Sequence, residues 1–448
     1  MRAPTAGRHA VAVSVPGGAV RPATGAVRGA PARGVLMVAF HYPPWFGSSG
    51  YLRTLKFSRY LPDHGWHPIV LSAHPRAYPQ TTDQQLGEIP EAVVVRRTFA
   101  LDARRHLAIR GSSLRVTALP DQWSSWWLSA VPAGLRLVRE HRPSVLWSTY
   151  PIATAHLIGL TLHRLTGLPW VADFRDSMTE DDYPAHRLTR RVYRWIERRT
   201  IEEASLAVFT ATSARRMYLD RYANLPASRC LVISNGYDEA DFEGIPRAPE
   251  RPAILGGPVR LLHAGLIYHE ERDPRPFFRA LARLRQEGRI RSDTVQVELR
   301  APGTASYYQG LITELGLGDI VRILPALPYR EALQEAAGVG ALLVLQGASC
   351  NHQIPAKAYE YLRLAKPILA LTGPGGDTAA LLAASGGATL VDLLDETGIH
   401  HALPGFLAAV QAGTHPLPDP VTASSHARHN QAGHLASCFS RLLSARLP

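Results

Sequence analysis

Only three of the 49 basic residues in this 448-residue chain are lysines. One of them, Lys357, lies three residues before Glu360 in Ile354-Pro-Ala-Lys-Ala-Tyr-Glu-Tyr. On a helix that spacing places an ammonium and a carboxylate on one face, within reach of a single ligand. The carboxylate suits ribose hydroxyls or, in the alternative, a solvated helix face. The ammonium suits a phosphate oxygen, which a helix N-terminus also favours. A chain that writes its other cations as arginine keeps lysine where a compact charge fits better than a planar guanidinium. The competing account is chance, because Lys56 and Lys366 show that lysine occurs elsewhere. Asp173 and Asp176 flank Arg175, a set that orients a hydroxyl, steadies developing positive charge or makes a structural ion pair. Gly47-Ser-Ser-Gly50 lets backbone approach an anion or an acceptor, or is a plain turn. Gly373-Pro-Gly-Gly-Asp-Thr378 offers amides to an anion or forms an ordinary turn. Cys230, Cys350 and Cys438 are scattered and read as small core residues. No Asp-x-Asp strand end appears, Glu180-Asp-Asp182 reads as a solvated acidic turn, and no metal is expected.

The elements that must hold these residues alternate. Val35–Phe40 reads as a buried strand, followed by a turn-rich loop, a helix from Tyr51 to His64 and a strand at Pro68–Leu71. That is a βαβ unit. The rhythm continues through strands at Ser144–Ser148, Trp170–Asp173, Leu206–Phe209 and Cys230–Ile233, with helices at Ile152–Thr166 and Ala185–Glu203. Residues 243–258 carry four prolines and three glycines and read as a linker. A second αβ series begins at Val259, with Ala356–Leu364 a helix and Ile368–Leu371 a strand. The fold class expected is therefore α/β, with two Rossmann-like domains and a cleft between the carboxyl ends of their strands. The domain plan is a leader at 1–33, an amino-terminal Rossmann-like domain at 34–242, the linker at 243–258, a carboxyl-terminal Rossmann-like domain at 259–400, and a final segment at 401–448.

The segment from Ile354 to Leu369 resembles the donor-site motif of family 4 glycosyltransferases, P-[SA]-K-x-x-E-Y before a K/R-P-[VI]-[IL] strand. Other segments resemble that family in the same order: His41-Tyr-Pro-Pro-Trp-Phe-Gly with Gly50 and Arg53, Asp173-Phe-Arg-Asp176, Asn235-Gly-Tyr-Asp238 with Phe242, and His263-Ala-Gly-Leu-Ile-Tyr268 with Arg272-Asp-Pro274. Gln431–Leu447 resembles the closing helix that returns to the amino-terminal domain. The resemblance implies the GT-B fold, a UDP- or GDP-sugar as co-substrate, no metal, and retention of anomeric configuration. It implies that Glu360 contacts the donor ribose and that Pro355 and Lys357 belong to the donor site. Arg272, beyond the Gly265 loop, is the implied second cation of a diphosphate clamp, with a surface arginine as the alternative. Asp173 and Asp176 become catalytic candidates, and Gly50 a donor or acceptor contact. The chain departs from the family at residue 352, where the first glutamate of an E-x7-E pair gives way to His352. That departure bears on donor identity.

Composition narrows the classes. Apolar residues make up 46% of the chain and charged residues 19%, as in a globular protein, and no apolar run is long enough to span a bilayer. The formal charge of +12 favours anionic partners, but no aromatic-interleaved basic stripe or recognition helix points to nucleic acid. Residues 1–33 lack the compact apolar core and cleavage site of a secretory signal, and a cytoplasmic protein is expected. Trp123, Trp126 and Trp127 pack under a loop or dip into a membrane interface, which leaves open a peripheral contact with the inner membrane face. The expected activity is transfer of a sugar to a glycan, lipid-linked or small-molecule acceptor. The rival readings are a GT-B nucleotide-sugar epimerase and a non-catalytic sugar-nucleotide-binding protein of a polysaccharide pathway. A dehydrogenase is poorly supported, because neither first strand is followed by a glycine-rich dinucleotide fingerprint.

Overall fold

The computed structural model describes residues 33–46, 49–106, 118–181, 183–247, 256–268 and 271–445. The leader at 1–33 thus falls almost wholly outside the described residues, as do Gly47, Ser48, Asp182 and the middle of the linker. Residues Arg33–Pro448 form one compact unit.

Thirteen strands among the described residues make two sheets. The first contains β1 (Arg33–Val38), β2 (Trp66–Ala73), β3 (Val94–Thr98), β4 (Val145–Thr149), β5 (Trp170–Phe174), β6 (Leu206–Phe209) and β7 (Cys230–Val232), in the order β3-β2-β1-β4-β5-β6-β7. The second contains β8 (Val259–Ala264), β9 (Val295–Arg300), β10 (Val321–Leu324), β11 (Ala341–Gln346), β12 (Ile368–Thr372) and β13 (Ala388–Val391), in the order β10-β9-β8-β11-β12-β13. Every strand pairing in both sheets is parallel. Helices cover both faces, so the central strands read as continuous apolar runs; all five positions of β4 and of β5 are buried. Strand order reverses between β1 and β4 and again between β8 and β11. The loops at those two points are where a doubly wound sheet binds ligands.

Several elements go beyond the sequence-based plan, among them β3, the Trp126–His141 helix, the Thr212–Arg221 helix, β13 and the Glu396–Gln411 helix. The second settles the tryptophan cluster. Trp126 is fully buried, and its indole N–H donates to the Thr98 hydroxyl at 2.9 Å. Trp123 donates to the Ala77 carbonyl at 3.2 Å and Trp127 to the Thr161 hydroxyl at 3.0 Å. With all three N–H groups satisfied inside the fold, Trp126 belongs to the core while Trp123 and Trp127 pack half-buried against it. Among the described residues no helix is long and apolar enough to cross a membrane.

The last helix, Arg428–Ser444, leaves the second sheet and packs on the first. Ala432, Leu435 and Phe439 share a core with Val35, Met37, Val70 and Trp147. The entry to that helix lies against the Asn235-Gly-Tyr-Asp238 segment, where Tyr237 bridges Ala427 in parallel. A Cβ on Gly236 would sit 1.9 Å from the His426 carbonyl oxygen, so backbone meets backbone there and only glycine fits. Gly236→Ala therefore forces the crossing apart. The expected loss is about 1–3 kcal/mol or more, the scale of overpacking a closed site, read as a lower denaturation midpoint. An unchanged midpoint would show that this crossing yields freely.

Candidate active site

The loops at the two switch points enclose a cavity of about 430 Å³. The first sheet's half supplies Arg53, Arg175 and Asp176; the second supplies Arg272, Lys357 and Glu360.

Lys357 lies in the first turn of the Ala356–Leu364 helix, which starts after Pro355 with no side-chain cap, so its first N–H groups face the cleft end. Its Nζ is 2.8 Å from Nε2 of His263 on β8. Nδ1 of the same fully buried ring is 3.0 Å from the Leu343 carbonyl oxygen. A carbonyl can only accept, so Nδ1 carries the proton and Nε2 accepts from the lysine. Burial, and then the charge of Lys357, hold the His263 pKa well below its ordinary value, which keeps the ring neutral and in that tautomer. Burial, and then the nearby Arg272, lower the Lys357 pKa to about 7, with Glu360 opposing. Gly265, at φ +102°, passes so close that a Cβ there would be 3.5 Å from Lys357 Nζ.

Arg272 points into the same space. Its guanidinium lies 5.5 Å from the Tyr268 ring centre and donates to the Leu266 carbonyl at 3.2 Å. Its Nε is buried with no hydrogen-bond partner among the described residues. Arg428, at the start of the last helix, is buried and has Gln431 as its side-chain partner at 3.3 Å. Burial, and then the charge of Arg53, lower its pKa to about 10. No carboxylate pairs with Lys357, Arg272 or Arg428 within ion-pair distance among the described residues. Enclosed cations are ordinarily paired, so Arg428, buried, and Lys357 and Arg272, half-buried, depart from that rule. Glu360 faces the cavity from the next turn of the helix. The Tyr329 hydroxyl donates to its Oε1 at 2.8 Å, leaving Oε2 open to another donor. Burial raises the Glu360 pKa, while the bond from Tyr329 and the charge of Lys357 restrain the rise.

The model of the glycosyl transferase 4-like domain matches residues 51–236. Sucrose-phosphate synthase from Thermosynechococcus elongatus superimposes with a TM-score of 0.60 at 13% identity, covering 92% of this chain and 100% of that one. The fold here is GT-B, that of the glycosyltransferase structures on which it superimposes. Anabaena HepE in complex with UDP and glucose gives a TM-score of 0.59 at 12% identity, over 91% of this chain and 100% of that one. A Listeria monocytogenes protein assigned as a UDP-N-acetylglucosamine 2-epimerase gives 0.56 at 10% identity, over 93% and 98%. No curated protein matches in sequence.

On this GT-B frame, Lys357, Glu360, Arg272, Pro355 and Asp176 line one cavity, and Gly265 adjoins it. Three other candidates lie elsewhere. Asp173 is fully buried, and Arg53 donates to both its oxygens at 2.8–3.1 Å while the Thr149 hydroxyl donates to Oδ2 at 2.8 Å. With its lone pairs taken, it positions Arg53 and cannot meet an acceptor. His352 lies outside the cavity lining, 2.9 Å from Glu180 of the other lobe, and that partner raises its pKa. The Gly50 carbonyl accepts from Arg175, so this glycine anchors that arginine and does not touch the cavity. All three lysines prove to have enclosed sites. Lys56 is buried against Asp238 at 2.7 Å and Glu88 at 2.6 Å, and Lys366 is buried before β12. Arg428 and Tyr329 escaped the sequence reading; one arginine among 46 carries no signal until burial singles it out. Among the described residues no three His, Cys, Asp or Glu side chains gather as a metal site.

Because the chain has only three lysines, selective carbon-13 labelling of lysine should give three resolvable sets of side-chain signals. One set should titrate near pH 7 and vanish in Lys357→Met. If all three titrate above pH 9, the enclosure of Lys357 by His263 and Arg272 is wrong.

Proposed function

We propose that the protein transfers a sugar from a nucleoside diphosphate sugar, bound in the cleft, to a hydroxyl of a glycan, lipid-linked or small-molecule acceptor. The observation that carries this reading is the set of three cations without a carboxylate, Lys357, Arg272 and Arg428, beside a helix N-terminus and opposite Glu360. The diphosphate would lie among the cations, and Glu360 Oε2 would accept from ribose hydroxyls. As the anomeric carbon–oxygen bond breaks, the diphosphate gains negative charge, so the cations bind the transition state more tightly than the donor. Asp176, exposed at the cavity wall and 3.7 Å from Arg175, is placed to orient the incoming hydroxyl. Side chains and helix amides suffice to neutralise the diphosphate, so the proposed reaction proceeds in EDTA. Retention and a cytoplasmic setting follow from the family resemblance. HepE, crystallised with UDP and glucose, makes UDP the first nucleotide to test.

The epimerase-like neighbour keeps a second reading in view, isomerisation of the bound sugar. Product formed with no acceptor present would favour it. Tight nucleotide binding without turnover in a membrane extract would instead mark a binding protein.

Two substitutions separate the roles. Glu360→Gln should weaken donor binding by about 1.5–3 kcal/mol, the worth of hydrogen bonds to a charged group; calorimetry with UDP-sugars and GDP-sugars measures this, and an unchanged dissociation constant in a folded variant removes Glu360 from the ribose. Lys357→Ala should lower turnover about 100-fold, the scale of one lost oxyanion donor, with a smaller effect on donor binding. Lys357→Arg should rescue poorly, since Nζ fits between His263 and the Gly265 backbone where a guanidinium does not. Near-full turnover in Lys357→Arg would pass the leading role to Arg272.

A further inference from the structure

The Arg187–Glu203 helix of the first lobe has an inner face of Tyr193, Ile196, Glu197, Thr200 and Ile201, all buried. Its outer face is unusual in charge and in shape. At about 100° per residue, Arg187, Arg191, Arg194 and Arg198 stack in one row. Leu188 and Trp195 form the adjacent row and are 44% and 47% exposed, so two large apolar groups stand in solvent beside a file of guanidinium groups. The acids of this helix neutralise only Arg198 of that file. Glu197 is buried and taken by Arg221 at 2.7 Å, and Glu203 is taken by Arg164 at 2.5 Å. Only Glu202 shares the outer face, paired with Arg198 and Arg199 at its far end. Arg187, Arg191 and Arg194 enter no ion pair among the described residues.

A groove of about 520 Å³ opens at the first turn of this helix, between Leu188 and Tyr193 on one side and Trp123, Leu119 and Pro184 on the other. Its wall at Tyr183 and Pro184 belongs to the loop after β5 that also carries Asp176 into the catalytic cavity. The groove mixes these apolar side chains with Asp121, Gln122 and Thr189, is basic at its rim through Arg104, and is joined to the cavity by one stretch of chain.

We propose that the outer face of the Arg187–Glu203 helix, with the groove at its first turn, docks on an anionic lipid surface. Arginines at the level of the headgroups neutralise lipid phosphates, while Leu188 and Trp195 enter the headgroup–acyl boundary. A nucleic acid would reward the arginine row alone and leave Leu188 without a partner, so the paired rows favour lipid. The proposal does not depend on glycosyl transfer, because its readout is binding.

Full-length protein is sedimented with vesicles of phosphatidylglycerol and phosphatidylcholine, or of phosphatidylcholine alone, at 0.1 M salt. Binding to the anionic vesicles is expected, with at least about tenfold weaker partitioning to the neutral ones. Arg191→Gln with Arg194→Gln should lower anionic binding at least about tenfold. Leu188→Ser with Trp195→Ser should lower it several-fold without removing any positive charge. Unaltered circular-dichroism melts show that the variants fold. No binding to anionic vesicles, or equal binding by both folded variants, overturns the proposal. Single-stranded RNA binding that survives Leu188→Ser with Trp195→Ser, and exceeds vesicle binding, replaces the lipid with nucleic acid.

Discussion

The buried pair of Arg53 and Asp173 is the interaction on which the first lobe is organised. A guanidinium and a carboxylate this deep are tolerable only when nearly every donor and lone pair is met. Here Arg53 also donates to the carbonyls of Ile233 at 2.9 Å and Ser234 at 3.0 Å, and Asp173 also accepts from Thr149. One side chain thereby joins the Leu52–Tyr60 helix to the carboxyl ends of β4 and β5 and to the chain leaving β7. Those are the strand ends that present Arg175, Asp176 and the Asn235-Gly-Tyr-Asp238 segment to the cleft. Lys56, one turn further along the same helix, repeats the device with Asp238, whose other oxygen accepts from the Tyr60 hydroxyl at 2.5 Å. The first lobe satisfies its buried charges internally.

The second lobe does the opposite at the facing surface. Lys357 has a neutral histidine for a partner, Arg272 a carbonyl and an aromatic ring, and Arg428 an amide. The contrast separates charges saturated within the fold from those without a charged partner among the described residues. A saturated pair gains nothing from an incoming phosphate, whereas an unpaired buried cation gains most of what its desolvation cost. It also explains why Asp173, which looked catalytic in Asp173-Phe-Arg-Asp176, is a fixture, while Asp176 three residues on is available.

Besides the returning helix, side-chain contacts join the lobes: Arg363 of the second lobe pairs with Glu239 at 2.8 Å and lies over the Phe242 ring of the first. Ser213, at the start of the Thr212–Arg221 helix, donates its backbone N–H to Asp377 of the second lobe at 3.0 Å, and its hydroxyl bonds the same carboxylate. His352 and Glu180 add an ion pair at 2.9 Å. The Gly373–Thr378 turn, read from sequence as an anion site or an ordinary turn, spends Asp377 on this interdomain contact.

Local chemistry was enough to reveal much of the molecule. The two αβ series, the helix carrying Lys357 and Glu360, and the closing helix were legible because period and turn residues are local properties. Strand β3 was not, since Val-Val-Arg-Arg-Thr is an edge strand with exposed side chains and too weak a pattern. The Trp126–His141 helix was hidden by Pro132 and by tryptophans that looked like an interface. Of the site, the sequence alone determined the pair whose spacing fits one helical turn, and lysine scarcity marked Lys357. Only the tertiary structure decided which charges are free. That depends on partners 80 to 180 residues away, such as Leu343 for His263 and Ile233 for Arg53. No local pattern encodes such pairings; they exist only once the two sheets and the last helix are packed together.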